Sequence, residues 1–599
     1  MDLIQKYSVN NHPVEIILSW YRSKEIAIPE IQRPFVWNST KVRNLLDSLY
    51  RGFPIGYLIV WKNPNIKLKD GKTSEGKKIL IDGQQRVTAL ITAILAEKIV
   101  DKEYRTGRIV ISFNPQIEKF EVLNPAIEKD GSWISDISPI IKGEARISNV
   151  INDYCEKNQN VSRDNIEDSI EKLKKIMSRS IGLIELEHDL EIETVTEIFI
   201  RINSAGVPLN QADFVMSKIA SNETYGGTNL RKSIDYFCHL IRAPEYFNLI
   251  LDGDKEFAKT EYFRKMSWLK NENDDLYDPS YSDVLRVAFT SEFNRGKLAD
   301  LVSLLTGRNF ERRTFEEKIV KESFSKLEEG ILNVINETNF KRFLMIIKSA
   351  GFISTKLIRS SNAINFAYTL YLKLKAQQCN PAIIETFVRK WFVLSIITER
   401  YSASPESQFD FDIRNIDSRD FGEFLKEVES GELSPAFWKN TLTQNLRTPV
   451  TSSPYFNVFL AAQVKLNDKG FLSKEITVRD LITQRGDIHH IFPKEYLKSK
   501  GLKRGDYNQI ANYVYTQSEI NIKIGKKSPK EYFTEVLAQN NGSTLKYGEI
   551  NDMPTLNNNL KMNCVPEEIF HMELEKYEEF LMKRRKLMAE KIERYYSSL

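Results

Sequence analysis

The stretch Asp487–Pro493 reads Asp-Ile-His-His-Ile-Phe-Pro and places two adjacent histidines in a chain of 599 residues that contains only six histidines. Near pH 7 a neutral imidazole can take a proton from water, and imidazole is also a frequent ligand of divalent cations. Two asparagines follow at a distance, Asn512 and Asn521. A hard cation with nitrogen and oxygen ligands and open water positions can stabilise charge on a phosphate. These residues therefore predict a hydrolytic site that uses one metal ion.

The stretch and the two asparagines resemble the core of the His-Me finger (HNH, ββα-metal) nucleases. In that family a strand carries a metal ligand and then the general base, and a hairpin arm and a helix close the motif around one ion. The resemblance implies that His490 activates water and that His489 and Asn521 hold Mg²⁺ or Mn²⁺. It also implies that Asn512 braces the loop carrying the base, and that Asn521 stands at the head of a helix over Ile522–Val536.

Neighbouring residues have more than one role open to them. Asp487 is a third metal ligand, a partner that orients His489, or a turn residue after Gly486. Asn508 competes with Asn512 for the bracing position, and the histidine pair itself could serve only a surface or capping function. Without a Cys-x-x-Cys pair beside the motif, a structural zinc is not expected. Three lysines downstream could hold the scissile phosphate, namely Lys523, Lys526 and Lys527. Of these, Lys526 is placed among the predicted catalytic residues.

Composition sets the broad class of protein. With 41% hydrophobic and 28% charged residues, the chain is predicted to be soluble and globular with two to four domains. Its four cysteines show no framework or metal spacing, no export signal is apparent at the N-terminus, and no apolar run is long enough to span a membrane. A cytoplasmic protein is expected. Net charge is +4 overall, whereas residues 474–532 carry 12 Lys/Arg and 7 Asp/Glu, a local excess of +5 where a polyanion would approach.

A second polar motif, Asp82–Arg86, reads Asp-Gly-Gln-Gln-Arg and lies between a predicted strand over Ile79–Ile81 and a predicted helix over Val87–Ile99. Unpaired N–H groups at a first helical turn form an anion site, and an arginine can donate two hydrogen bonds to a phosphate. Gln84 and Gln85 can contact amide or hydroxyl edges. The motif therefore predicts phosphate binding or, equally, an ordinary strand–helix turn.

This motif and two further blocks, Ile31–Trp37 and Phe199–Leu209, look like the ParB/sulfiredoxin-like domain of GmrSD-class, modification-dependent (type IV) restriction systems, which are related to SspE- and BrxU-type phage-defence proteins. The resemblance implies binding of a nucleoside triphosphate (GTP, ATP or another NTP) that controls the nuclease. Arg33 could instead form a buried structural ion pair, as an arginine beside a core often does. The positions carried over for NTP binding are Gln32, Arg33, Asp82, Gly83, Gln84, Gln85 and Arg86.

The predicted fold class is multidomain α+β. A ParB/sulfiredoxin-like α/β domain is expected over residues 1–215, a mainly helical region over 216–445 and a ββα-metal (HNH) nuclease domain over 446–599. A last helix, over about Pro566–Tyr596, has an apolar stripe at three- and four-residue spacing. We expect it to pack against the nuclease domain or the helical region, or to form a coiled coil with another chain.

Together these features predict an NTP-regulated, divalent-metal-dependent DNA endonuclease of prokaryotic phage defence that cleaves or nicks modified phage DNA. Since one metal site cuts one strand, a double-strand break requires two visits or a homodimer. Two other classes stay open. One is a nucleotide-controlled DNA-binding regulator with an inactive finger domain, and the other is a nucleotide hydrolase or protein-modifying enzyme centred on Asp82–Arg86.

Overall fold

The structure is a computed structural model, and it divides into two compact units, residues 1–228 and residues 229–599. It describes residues 5–23, 25–27, 37–62, 78–100, 106–159, 161–187, 190, 198, 211–222, 224–484 and 486–599. The predicted NTP-binding residues Gln32 and Arg33 lie outside the described residues, as does the block Phe199–Leu209. The predicted boundary between residues 445 and 446 stays a prediction.

Strands in the first unit are short, and five of them form one mixed sheet. The strands are β1 (Tyr7–Pro13), β2 (Ile26–Ala27), β3 (Leu58–Lys62), β4 (Lys78–Asp82), β5 (Ile99–Val100), β6 (Thr106–Gly107), β7 (Ile111–Asn114), β8 (Lys119–Val122) and β9 (Ser180–Leu186). The sheet order is β1-β9-β3-β4-β2, with antiparallel pairs β1–β9 and β3–β4 and parallel pairs β9–β3 and β4–β2. Strand β4 therefore delivers Asp82 beside the middle strand β3.

The middle strand β3 is buried on both faces. Because successive side chains point to opposite sides of a strand, Leu58 and Val60 enter the main core. Ile59 and Trp61 enter a second, smaller cluster on the other face. The Trp61 indole N–H also donates to the Glu187 carbonyl at 3.1 Å. Burial on both sides accounts for the unbroken apolar run in this part of the sequence.

Helices of the first unit cover the main core. They are α1 (Val14–Arg22), α2 (Ser39–Arg51), α3 (Gln84–Leu90), α4 (Pro125–Lys129), α5 (Ser138–Ile141), α6 (Ile147–Lys157), α7 (Arg163–Lys174) and α8 (Gln211–Ser221). The predicted helix over Val87–Ile99 is wrong in its extent. The α-helix ends at Leu90, a π-helical turn follows over Ile91–Leu95, and Ala96 leaves the helix with a left-handed φ of 62°.

The second unit is mainly helical. Its helices, numbered from the one that spans the boundary, are α9 (Gly227–Leu240), α10 (Phe247–Gly253), α11 (Lys255–Ala258), α12 (Glu261–Lys265), α13 (Tyr281–Phe293), α14 (Leu298–Leu305), α15 (Glu317–Val334), α16 (Glu337–Ser349), α17 (Ser361–Ala376), α18 (Pro381–Ile397), α19 (Pro405–Ser418), α20 (Phe421–Glu432), α21 (Leu442–Asn445), α22 (Pro454–Lys465), α23 (Val478–Thr483), α24 (Lys494–Ser499), α25 (Arg504–Tyr507), α26 (Ser518–Ile524), α27 (Pro529–Asn540), α28 (Met553–Met562) and α29 (Tyr577–Ser597). Among the described residues, none of the helices is both long and apolar enough to cross a membrane.

One two-stranded sheet interrupts these helices, β10 (Asp487–His490) paired antiparallel with β11 (Tyr513–Thr516). The predicted single helix over Ile522–Val536 is wrong, because α26 ends before Gly525 and α27 begins only at Pro529. Gly525 has a positive φ of 57°, which favours glycine, and Ser528 closes a capping box with Glu531 at the next helix start. Asn521 consequently lies inside α26, one helical turn from its beginning, and not at its head.

The predicted last helix begins later than expected. Residues 567–571 and 574–576 form 3₁₀ turns, and the α-helix α29 runs only from Tyr577 to Ser597. Extended backbone at Met572 separates the two turns. The helix packs within its own unit, because the Tyr595 hydroxyl donates to the Ala350 carbonyl and the Tyr596 hydroxyl donates to Glu429 at 2.7 Å. Packing against the helical region is therefore confirmed.

Candidate functional site

The hairpin β10–β11 and the helix α26 bring the predicted finger residues together. In the hairpin, His489 lies opposite Val514 and His490 lies opposite Tyr513. Neighbouring residues of a strand point to opposite faces, so the two imidazoles contact different surroundings. His489 contacts Asn521 of α26, and His490 contacts Asn508 in the segment before β11. Residues that are 32 and 18 positions apart in sequence thus become direct neighbours.

The first of these contacts joins the two predicted metal ligands. The Nδ1 atom of His489 lies 2.6 Å from the Oδ1 atom of Asn521. An amide oxygen only accepts hydrogen bonds, so the ring must donate through Nδ1–H, and its lone pair resides on Nε2. That Nε2 atom is buried and, among the residues that the structure describes, has no hydrogen-bond partner. A buried polar atom without a partner is costly in a fold.

Both imidazoles are held in their neutral form. Burial lowers the pKa of His489 to about 4, despite the opposing effect of the hydrogen bond to Asn521. Burial also lowers the pKa of His490, and the positive charge of Lys494 adds to this effect. At neutral pH each ring therefore carries one free lone pair, as a metal ligand and a general base both require.

The second contact fixes His490. Its Nε2 atom lies 3.0 Å from the Oδ1 atom of Asn508. The ring of Tyr513 stands edge-on to the imidazole, with ring centroids 4.9 Å apart and planes at 87°, and the ring of Tyr507 lies 6.3 Å away. The imidazole is half-buried among these side chains.

Asn512 braces the backbone that follows the histidines. Its Oδ1 atom accepts a hydrogen bond from the Phe492 N–H at 2.8 Å. Its Nδ2 atom donates to the carbonyls of Phe492 and Tyr507 at 3.1 and 3.2 Å. The side chain is completely buried, and its three bonds tie the turn after β10 to the segment that carries Asn508. Asn508, the rival for the predicted bracing role, instead contacts His490.

The helix α29 also contacts the hairpin and its flanking segments, in line with the expected packing of the last helix, but the sequence did not show which side chains make the contacts. The Tyr577 hydroxyl donates to the Asp506 carbonyl at 2.9 Å, and its ring packs against Phe492 with centroids 5.0 Å apart. Arg584 donates through Nη2 to the Tyr513 carbonyl at 2.7 Å. Arg584 is completely buried, and burial lowers its pKa to about 10. The available signal was an arginine placed four residues after Phe580, on the apolar stripe of the helix.

The donor set fits one hard cation. The Nδ1 atom of His489 and the Oδ1 atom of Asn521 supply a nitrogen and an oxygen donor 2.6 Å apart, so both could contact one ion with the ring proton on Nε2. Mg²⁺ commonly uses few protein ligands and completes its shell with waters and phosphate oxygens. In the part of the chain that the structure describes, no cluster of three or more His, Cys, Asp or Glu side chains could hold a metal. The side chain of Asp487, the third predicted ligand, lies outside the described residues.

The predicted phosphate-binding lysines fall into two groups. Lys523 and Lys526 are exposed on and just after α26. Lys527 is engaged, because its Nζ atom lies 2.9 Å from Glu535 and 2.6 Å from the Tyr547 hydroxyl.

Two cations that sequence reasoning did not single out act on His490 and its neighbour. Exposed Lys494 acts electrostatically on His490, and exposed Arg504 acts on Tyr513, the ring packed against that imidazole. Their signal in the sequence was the basic run after Pro493, with five Lys/Arg and one acidic residue over 494–504.

The Asp82–Arg86 turn has a different character. Gly83 adopts a positive φ of 90°, and a Cβ atom there would lie 2.2 Å from the Leu58 side chain. Arg86 donates through Nη1 to the Tyr57 and Ile55 carbonyls at 2.8 and 3.2 Å, and through Nη2 to Asp82 at 3.0 Å. The guanidinium therefore holds the chain reversal before β3 against the start of α3.

The two glutamines of this turn also contact their own unit. The Gln84 amide donates to the Leu80 carbonyl at 2.9 Å, and the Gln85 Oε1 atom accepts from the Trp37 N–H at 3.3 Å. All five predicted positions from Asp82 to Arg86 thus lie together at the end of β4 and the start of α3. Phosphate binding by this turn stays a prediction.

Comparison with known proteins supports the N-terminal resemblance. Residues 14–220 match the family model described as "GmrSD restriction endonuclease, N-terminal domain". The chain is also similar to an uncharacterised protein of Methanocaldococcus jannaschii, with 22% identity over 646 aligned positions that cover 95% of this chain and 96% of that protein. The first match supports a restriction endonuclease of the GmrSD type.

Proposed function

We propose that this protein is a divalent-metal-dependent DNA endonuclease whose chemistry resides in the finger β10–β11–α26. The observation that carries the proposal is the pairing of the two predicted metal ligands, with His489 Nδ1 at 2.6 Å from Asn521 Oδ1. Beside it stands a second neutral imidazole, His490, held by its own partner. A ligand atom and a base on adjacent residues of one strand are the minimum for one-metal phosphodiester hydrolysis.

Each residue of the finger has a distinct task in this mechanism. His490 accepts the proton of the attacking water at Nδ1, the ring nitrogen that is not bonded to Asn508. Asn512 keeps the turn after β10 in place through three hydrogen bonds. His489 and Asn521 would hold Mg²⁺ or Mn²⁺. When bound, such an ion supplies Lewis-acid stabilisation of the charge that develops on the phosphate and the leaving oxygen.

Phosphates of the substrate would meet cations on the exposed side of the base. Lys494 and Arg504 act electrostatically on His490 and on the adjoining Tyr513, and they are assigned to a phosphate next to the base. Lys526 is exposed after α26 and is assigned to the phosphate beside the metal ligands. Lys527 is better assigned to structure, because Glu535 already neutralises it.

For the first unit we propose NTP-dependent control and recognition of modified phage DNA. The match of residues 14–220 to the GmrSD N-terminal domain supports this part of the proposal. The turn at Asp82–Arg86 would contribute Gln84 and Gln85 to the nucleotide, while Arg86 maintains its backbone. Loss of NTP binding in Gln84→Ala/Gln85→Ala, measured by calorimetry on folded protein, would support the pocket, and unchanged binding would contradict it.

A cleavage assay on the full chain tests the nuclease. Modified and unmodified phage DNA and a supercoiled plasmid are incubated with Mg²⁺ or Mn²⁺, with and without each NTP. We expect metal-dependent strand breaks that are absent from a His490→Ala variant, and the ratio of nicked to linear plasmid reports one-strand or two-strand cutting. Binding without breaks in every lane would favour the regulator class, and NTP hydrolysis that persists without DNA cleavage would favour the hydrolase class.

A further inference from the structure

We propose that Asn508 is a positioning residue that fixes the tautomer and the ring orientation of His490, so that Nδ1 is the atom that accepts the proton of water. This inference rests on the proposed function, in which His490 is the general base. The juxtaposition that carries it is the 3.0 Å contact between the Oδ1 atom of Asn508 and the Nε2 atom of His490.

The chemistry of the two side chains gives the contact a direction. A neutral imidazole has one N–H and one lone pair, and the amide oxygen accepts but never donates. If Nε2 carried the lone pair, two acceptors would face each other at hydrogen-bond distance. The contact therefore selects the form with the proton on Nε2 and the lone pair on Nδ1. If the proton moved to Nδ1, that nitrogen would have no lone pair with which to accept the proton of water.

Ring orientation is set by the same bond. Rotation of the imidazole by 180° would exchange Nε2 with Cε1 at the amide oxygen and lose the hydrogen bond. The edge-on ring of Tyr513 and the nearby ring of Tyr507 confine the imidazole between them but do not distinguish its two orientations. Asn508 supplies the only polar contact that the structure gives to the His490 ring within the described residues.

Three hydrogen bonds hold the backbone that leads into Asn508. Its N–H donates to the Arg504 carbonyl at 3.2 Å, which closes α25. The preceding carbonyl, of Tyr507, accepts from Asn512 at 3.2 Å, and the Asp506 carbonyl accepts from Tyr577 at 2.9 Å. The two asparagines therefore divide the work, because Asn512 fixes the backbone after the base while Asn508 fixes the imidazole itself.

The first readout of a test is independent of cleavage. In protein with ¹⁵N-labelled histidine, kept metal-free with a chelator, nitrogen shifts report which ring nitrogen carries the proton, and a His490→Ala sample assigns the signal among six histidines. We expect a single Nε2–H form in wild type and in Asn508→Asp, which keeps the acceptor. Asn508→Ala should show a mixture of forms. An unchanged single form in Asn508→Ala would overturn the proposal.

The second readout is single-turnover cleavage of bound DNA. Asn508→Ala should lower the rate on the order of 10²-fold, a typical loss for a misplaced general base, with the DNA dissociation constant changed less than about twofold. The matched control is Gln509→Ala, whose amide donates to the Gly505 carbonyl. The control should keep the rate and the tautomer, and a control loss equal to that of Asn508→Ala would overturn the specific role.

Folding is checked by circular dichroism and thermal unfolding. If Asn508→Ala unfolds, Asn508→Leu keeps the volume, removes the acceptor and takes its place in both readouts. The two proposals can fail separately. A wild type that cuts no DNA would contradict the proposed function, while its nitrogen shifts would still report whether His490 is in the Nε2–H form.

Discussion

Two polar motifs of this chain, the Asp82–Arg86 turn and the His489–Asn521 finger, differ in what their polar groups are bonded to. In the turn, the guanidinium of Arg86 is bonded to two carbonyls and a carboxylate of its own unit. In the finger, the Nε2 atom of His489 is buried, and no hydrogen-bond partner for it lies within the described part of the chain. An unsatisfied buried acceptor costs about 1–3 kcal/mol, and such costs are concentrated at functional sites.

The comparison shows that the sequence of a motif does not reveal whether its charged and polar side chains are available to bind a ligand. Arginine suggested phosphate, yet this arginine stabilises a backbone turn. Histidine suggested chemistry, and the fold does keep lone pairs on both rings by lowering their pKa values. Availability depends on the neighbours that the fold supplies. The predictions below test this difference, from the largest expected effect to the smallest.

Removal of the base should have the largest effect. We expect His490→Ala to lose metal-dependent DNA cleavage by on the order of 10³-fold or more, because no other neutral base replaces it, while DNA binding persists. Gel-resolved single-turnover assays measure the rate, and filter binding measures affinity. Exposed His571 provides the matched control, since His571→Ala should cut normally. Cleavage by His490→Ala at the wild-type rate would show that the finger is not the catalytic site.

Loss of Arg86 should destabilise the first unit. Arg86→Ala breaks an ion pair and two carbonyl contacts of a largely buried guanidinium, a loss on the order of 3 kcal/mol. Hydrogen–deuterium exchange of peptides from β3 and β4 measures this loss of stability.

The matched control for Arg86 is another Asp–Arg pair at the same spacing in the same unit, Asp47 and Arg51, where the arginine side chain is 48% exposed, against 19% for Arg86. Arg51→Ala should cost less than about 0.5 kcal/mol. If both variants exchange alike, the Arg86 guanidinium is not committed to the turn and is available for a phosphate.

The neutral, buried His489 makes stability of the second unit depend on pH. Its pKa is about 4 in the folded chain and 6.5 when unfolded, so below pH 6.5 the unfolded chain binds more protons than the folded one. Stability is therefore full above pH 6.5 and decreases as the pH falls towards 4. Between pH 6.5 and 5 the expected loss from this group is on the order of 2 kcal/mol.

Urea unfolding of chelator-treated protein at the two pH values measures this loss, and a folded His489→Gln variant should lose less stability over the same interval. Equal pH dependence in both proteins would contradict the buried, neutral state of this imidazole.

Cations near the base should have the smallest single effects. Lys494→Ala and Arg504→Ala should each weaken DNA binding severalfold and reduce the slope of log affinity against log salt by about 1. The measurement uses His490→Ala protein as background, so that cleavage does not interfere. Exposed Lys426 on α20 is the control, and an equal change in slope for Lys426→Ala would show a diffuse charge effect.

Sequence reasoning singled out the histidine pair and the asparagines because histidine is rare in this chain and the stretch resembles the His-Me finger core. It placed Asn521 on a single helix over Ile522–Val536, where Gly525 and Pro529 in fact separate two helices. It offered Asn508 and Asn512 as rivals for one role, whereas the structure gives each its own contact. It expected the last helix to pack here or on the helical region, but not the individual contacts of Tyr577 and Arg584, because these residues lie far along the chain from the carbonyls that they contact.

The sequence by itself determined which side chains could do chemistry, since His489, His490 and the asparagines have that capacity in any fold. It also determined the local structure that depends on short-range rules, such as the left-handed turn at Gly83 before α3. Only the tertiary structure decided which lone pairs are left without a partner and which cations are neutralised. Burial and hydrogen bonding decide both, and they depend on contacts between residues that no local pattern in the chain encodes.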